Sequence, residues 1–151
     1  MQLPDKRLVH QVCVDHLRAQ IAVSKEEIDA LRDSAAEESK SSAGDKYETG
    51  REMMQAEMVN LQSHLDEQQK MLAALLSIDP AKSNSSISRG SLVQSGQGVF
   101  FLAASLGQIQ VEGNRLFVIS MGSPMGQALE GKKAGESVEL NGRRIEIVAV
   151  R

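Results

Sequence analysis

His10, Cys13 and His16 stand three residues apart. On a helix that spacing turns the three side chains toward roughly one face. Imidazole and thiol could there ligate a metal or act as base and nucleophile. A structural zinc site needs four ligands, yet the chain has no second cysteine and only one further histidine, His64. A polar stretch near a helix end accounts for the same three residues. A second cluster is acidic: Glu37, Glu38, Asp45, Glu48 and Glu52 surround "SKSSAGDK" (39–46), together with Lys40, Lys46 and Arg51. Mg²⁺ is typically held by one or two carboxylates plus waters and phosphates, so such a cluster could carry part of its shell. Helix-end charge is the other reading. Asp45 and Glu48 suit the positive end of a following helix, and Ser42 with Asp45 has the spacing of a capping box. A third stretch, "SMGSPMGQAL" (120–129), has two glycines, a proline, two methionines and no charge. It could let a partner approach its backbone closely, or simply cap its own helix. No Gly-rich phosphate loop and no Ser-His-Asp pattern is readable.

The elements that would position these residues differ between the two halves. Val14, Leu17, Ile21, Ile28, Leu31 and Ala35 follow a 3-4 alternation, with Ser24 at the missing seam position. Tyr47, Met54, Met58, Leu61, Leu65, Leu72 and Leu75 form a second run, interrupted by Arg51 and Gln68. Both are narrow a/d seams of coiled-coil type. The Ser- and Gly-containing break between them predicts an antiparallel helical hairpin over 1–78. Its arms of about 32 residues would each be roughly 45–50 Å long. Polar residues in the seam would fix its register at some cost in stability. "DPAKSNSSISRG" (79–90) has a helix-stopping proline and no periodicity, and reads as a linker.

From residue 91 the period becomes two. "SLVQSGQGVFFLAA" reads as a β-hairpin, "GQIQVEGNRLFVIS" as another turning at Gly113-Asn114, and "ESVELNGRRIEIVAV" as a third turning at Asn141-Gly142. Between the last two, Pro124 after Ser123 can start a short helix and Gly131 can end it. The expected fold is α+β: a coiled-coil hairpin, then a small, mostly antiparallel β domain over 91–151 with one short helix.

Composition sets bounds on function. A chain of 151 residues makes one domain or two small ones. Aromatic residues are only 3%, which favours a long element burying a narrow seam over one large core. The net charge of −3 provides no global basic field for nucleic acid. A single cysteine excludes an intramolecular disulfide framework. No signal-peptide pattern and no membrane-spanning apolar run is present, so a cytoplasmic protein that does not enter membranes is expected.

The tract "FVISMGSPMGQALEGKKAGESVEL" resembles the C-terminal signature of the GreA/GreB transcript-cleavage factors. The order of strand, S-P-x-x-x-A-L and G-K-K-x-G-[DE]-x-V is specific, and the hairpin, linker and domain order extend the likeness over most of the chain. "EESKSSAGDKYETGREMMQ" resembles a Gre-like subgroup with a divergent hairpin. The resemblance implies an FKBP-like C-terminal domain and a bacterial RNA polymerase partner, bound at the rim of its secondary channel. The hairpin would enter that channel, and tip carboxylates would share a Mg²⁺ of the polymerase during cleavage of backtracked nascent RNA. Ser120, Met121, Gly122, Ser123, Pro124 and Met125 match the polymerase-contacting loop. Met121 stands where the family often has proline. The resemblance implies a transcription elongation factor, not itself an enzyme, expected to be monomeric and without an intrinsic metal or cofactor.

The tip departs from that pattern. Family tips carry an Asp and a Glu three apart; aligned on Tyr47, those positions hold Lys40 and Ala43, and Lys46 replaces an acid. Asp45 and Glu48 form the nearest acidic pair, displaced along the helix, and each residue of displacement rotates a side chain by about 100°. They are the candidate accessory ligands if cleavage is supported; a non-cleaving competitor for the secondary channel is the alternative. Two other classes remain open. A peptidyl-prolyl isomerase needs an aromatic-lined apolar pocket, and adjacent Phe100 and Phe101 face opposite sides of a strand. A coiled-coil interaction module would use the seams for dimerisation.

Overall fold

The computed structural model describes the backbone of residues 3–41 and 45–151, with side chains except at 38–41 and 45–48. Two long helices come first, α1 (Lys6–Ser41) and α2 (Asp45–Leu76). Six strands and one short helix follow: β1 (Leu92–Ser95), β2 (Gly98–Leu102), β3 (Gly107–Val111), β4 (Asn114–Ile119), α3 (Pro124–Leu129), β5 (Ser137–Leu140) and β6 (Arg143–Val150). This is the expected α+β order. The chain divides into two compact units, residues 16–72 and residues 1–15 with 73–151.

In the 16–72 unit the helices pack along the expected seam. Leu17, Ile21, Ser24 and Ile28 are buried from α1, Leu65 and Gln68 from α2. The arrangement is antiparallel: Ser24 meets Gln68, and further along Leu31 and Leu61 line one groove. Ser24 Oγ donates to Gln68 Oε1 at 2.7 Å. Two of the three seam interruptions seen in sequence, Ser24 and Gln68, are thus one polar pair, and a buried polar pair must be mutually satisfied to be tolerated.

The other unit is built on a six-stranded sheet of order β3-β4-β2-β1-β6-β5. Neighbouring strands are antiparallel except β2 and β4, which run parallel with Phe100 opposite Phe117. The β5–β6 hairpin turns at Asn141-Gly142, both at positive φ (53° and 77°), as the sequence predicts. The β3–β4 hairpin turns at Glu112-Gly113 (φ 52° and 78°), one residue before the predicted Gly113-Asn114. A two-residue turn with both φ values positive places Gly113 second and leaves Asn114 free to pair with Val111.

Alternation divides the sheet's side chains between two faces. On one, Val93, Phe100, Leu102, Ile145 and Ile147 form a core with Leu129 of α3, Val138 of β5 and Ile87. On the other, the His10 ring meets Phe101 edge-on at 6.5 Å. Val9, Cys13 and Leu75, from the ends of α1 and α2, are fully buried in this unit. Residues 79–90 are tied down along much of their length. Ile87 exchanges backbone hydrogen bonds with Lys132 and Gly131 (2.8 Å each), Gly90 N donates to Leu102 O at 2.6 Å, and Arg89 binds Ala74 O and Ser77 Oγ.

Candidate interaction site

The neutral loop begins where β4 ends at Ile119 and is closed by its own serine. Ser123 is the N-cap of α3, in extended conformation, with Pro124 at the first helical position. Its Oγ accepts from Gly126 N at 3.0 Å and donates to Ser120 O at 2.7 Å. One hydroxyl therefore satisfies an orphan helix donor and pins the start of the loop. Gln127 Nε2 adds a bond to Gly122 O at 3.2 Å. Gly126 is required by close approach: a Cβ there would lie 2.3 Å from Ser120 O and 2.8 Å from Met121 O. At the far end Glu130 N donates to Gly126 O, and Gly131 turns the chain away at φ 78°.

Met121 and Met125 are half-buried and pack against the core. Gly122 and Pro124 are exposed, and a Cβ at Gly122 would meet nothing within 4 Å. The six residues singled out from sequence therefore form one feature, with Gly122 and Pro124 at its crest and Ser123 turned to internal bonding.

Beside this loop lies a cleft of about 540 Å³ lined by Phe100, Phe117, Met125, Leu140, Arg143 and Ile145 among others. The rings of Phe100 and Phe117 stack at 5.7 Å and 28°. Sequence reasoning found Phe100 and Phe101 on opposite faces, which is correct, but missed the Phe100–Phe117 pair. Nothing local signals it, because parallel β2–β4 pairing joins strands separated by β3.

The His10, Cys13 and His16 cluster does not form a reactive centre. Cys13 is fully buried, and burial pushes its thiol up to about 12. A protonated thiol is a poor nucleophile and a poor ligand. The His10 ring is engaged by Leu75 O at 2.7 Å and by Phe101. His16 belongs to the 16–72 unit and pairs with Gln20 at 3.2 Å. Among the described residues no group of three His, Cys, Asp or Glu is placed to hold a metal. Asp45 opens α2 and Glu48 lies in its first turn, but their side chains, with those of Lys40, Lys46 and Tyr47, lie outside the described residues, as does Ala43. Among the described residues no helix is long and apolar enough to cross a membrane.

No family model matches the chain, and no curated protein does. Among solved structures, the GreA factor homolog 1 (Gfh1) protein of Thermus thermophilus is 20% identical over 91% of this chain and 94% of its own, with a TM-score of 0.37. A second structure, of the transcription factor Gfh1, is 22% identical over 91% of this chain and 92% of its own, with a TM-score of 0.35. The chain is thus similar to a GreA factor homolog along most of its length, and at these values the likeness adds no argument about activity.

Proposed function

We propose that this protein is a Gre-type transcription factor that binds bacterial RNA polymerase at its secondary channel and modulates elongation without supplying a cleavage centre. The observation that carries the reading is the 120–125 loop. The signature residues fold into one capped, uncharged crest, whose exposed Gly122 and Pro124 permit close backbone approach by a partner. The remaining expectations follow as part of the proposal: a regulator rather than an enzyme, acting as a monomer in the cytoplasm, touching nascent RNA only through the polymerase.

The donor set of the tip does not suit the shared Mg²⁺ in the family's register. Lys40 and Ala43 offer no carboxylate there, and ligation near 2 Å tolerates little displacement. Asp45 and Glu48 could serve only in a different register.

The test is co-purification with core polymerase, followed by RNA cleavage in backtracked complexes. Gly122→Glu should abolish binding while leaving the fold intact, because space is open around that position. Retained binding in Gly122→Glu would remove the proposed docking surface. Cleavage should not be accelerated by the wild-type protein. Acceleration that is lost in Asp45→Ala or Glu48→Ala would instead establish a relocated pair.

A second reading is favoured by the stacked Phe100 and Phe117 in their cleft, which offers apolar walls and one cation, Arg143, to a peptide. Prolyl isomerisation would require such walls to hold the proline ring away from water. Turnover of a prolyl peptide that is lost in Phe117→Ala would support it; no turnover rejects it.

A further inference from the structure

We infer that the unit comprising residues 1–15 and 73–151 carries a binding site for a compact polyphosphate anion, in a cleft at the start of α1. The cleft holds about 500 Å³ and is lined by Lys6, Arg7, Lys82 and Arg151, with Asp5 and Ser83. Its lining side chains carry four positive charges against the carboxylate of Asp5, with Asp79 a second carboxylate close enough to act on Lys6. The whole chain carries −3. Cations gathered in one cleft of an acidic protein make a local field that attracts a multiply charged anion.

The geometry at Lys6 adds direction. Lys6 is largely buried, and its Nζ donates to Lys82 O at 2.7 Å and to Arg151 O at 3.2 Å. An ammonium has three donors, so two carbonyls leave one for a ligand. Burial holds this ammonium below its ordinary value, with Asp79 partly opposing. A phosphoryl group alongside would oppose that effect and favour the ammonium. Arg7 and Lys82 are exposed at the cleft, and Arg guanidinium suits bidentate contact with phosphate. Four cations in a cleft of about 500 Å³ leave room and charge for two linked phosphoryl groups. Asp5 is already engaged, its Oδ1 accepting from Arg7 N at 2.9 Å.

The experiment is titration of the full-length protein with pyrophosphate by calorimetry near 0.15 M salt, where surface charges are screened beyond about 8 Å. Saturable one-to-one binding is expected. The Arg7→Gln, Lys82→Gln double variant should weaken it by about tenfold or more, as removal of two charge-assisted contacts would, with an unchanged melting temperature. Lys6 is left intact because its carbonyl contacts are structural. Sulfate at matched ionic strength should compete poorly. The inference is overturned by no saturable binding, by equal affinity in the double variant, or by sulfate binding as well as pyrophosphate. Tighter binding of a short single-stranded RNA without a terminal phosphate would also overturn it, assigning the cleft to a phosphodiester backbone.

Discussion

Gly122 and Gly126 lie four residues apart in one loop and helix, and they serve opposite purposes. A methyl group at Gly126 would run into backbone oxygens that cannot move aside, the nearest at 2.3 Å. Gly126→Ala should therefore cost about 1–3 kcal/mol, the usual range for forced overpacking. Gly122→Ala should leave urea stability within about 0.5 kcal/mol, as an exposed site with no neighbours does. Ser123→Ala falls between, at about 1 kcal/mol, the usual value of an N-cap. Cys13 gives a pH signature. Its thiol titrates near 9.0 when unfolded and at about 12 when folded. The folded state keeps a proton that the unfolded chain releases, so Cys13 contributes stability that is fully present below pH 9.0 and lost as pH rises toward 12. Stability measured against pH should fall above 9 in the wild type, and less so in Cys13→Ala. A thiol reagent at neutral pH should modify Cys13 only as fast as the protein opens.

At the scale of elements, local signals were legible and distant pairings were not. The 3-4 spacing marked both helical seams and even assigned Ser24 to the buried face. It could not reveal that Ser24 finds Gln68, because that contact joins residues 44 apart in sequence. The three β-hairpins were readable because each turn is a two-residue event containing a glycine. The one-residue error at Glu112-Gly113 arose because a non-glycine at φ 52° is uncommon and has no strong sequence mark. The parallel β2–β4 pairing, and with it the Phe100–Phe117 cleft, is a property of topology. At the loop, the serine, proline and glycine at fixed offsets mark the cap in the sequence itself. The coil pair yields a prediction. Ser24→Ala removes the donor to a buried carbonyl oxygen and should cost about 1–3 kcal/mol. Replacing both, as Ser24→Ala with Gln68→Leu, should recover most of that loss, because an apolar pair leaves nothing unsatisfied. Urea midpoints of the single and double variants decide this. A double variant as unstable as the single would show that the polar pair is not the source of the cost.

At the scale of the whole molecule, where the chain can be cut follows from which residues share a core. Residues 1–15 and 73–151 form one unit, although the whole of 16–72 separates the two segments in sequence. Val9, Cys13 and Leu75 are fully buried within it, and His10 covers an edge of Phe101, itself fully buried. A fragment beginning at residue 79 keeps all six strands but loses Val9, Cys13, Leu75 and Ile78 from its core. Each fully buried aliphatic side chain is worth about 1.5–3 kcal/mol, and a small domain has only about 5–15 kcal/mol of net stability. The 79–151 fragment should therefore lose cooperative unfolding and bind a hydrophobic dye. A chain in which a short glycine-serine turn replaces residues 16–72 should behave differently. His10 and Leu75 O are only 2.7 Å apart, so the cut helix ends already lie side by side and a short turn can join them. That shortened protein should melt in a single transition and, on the function proposed above, co-purify with polymerase through its intact 120–125 loop without modulating elongation. If the 79–151 fragment instead melts as sharply as the shortened chain, the helix ends contribute nothing to the core of this unit.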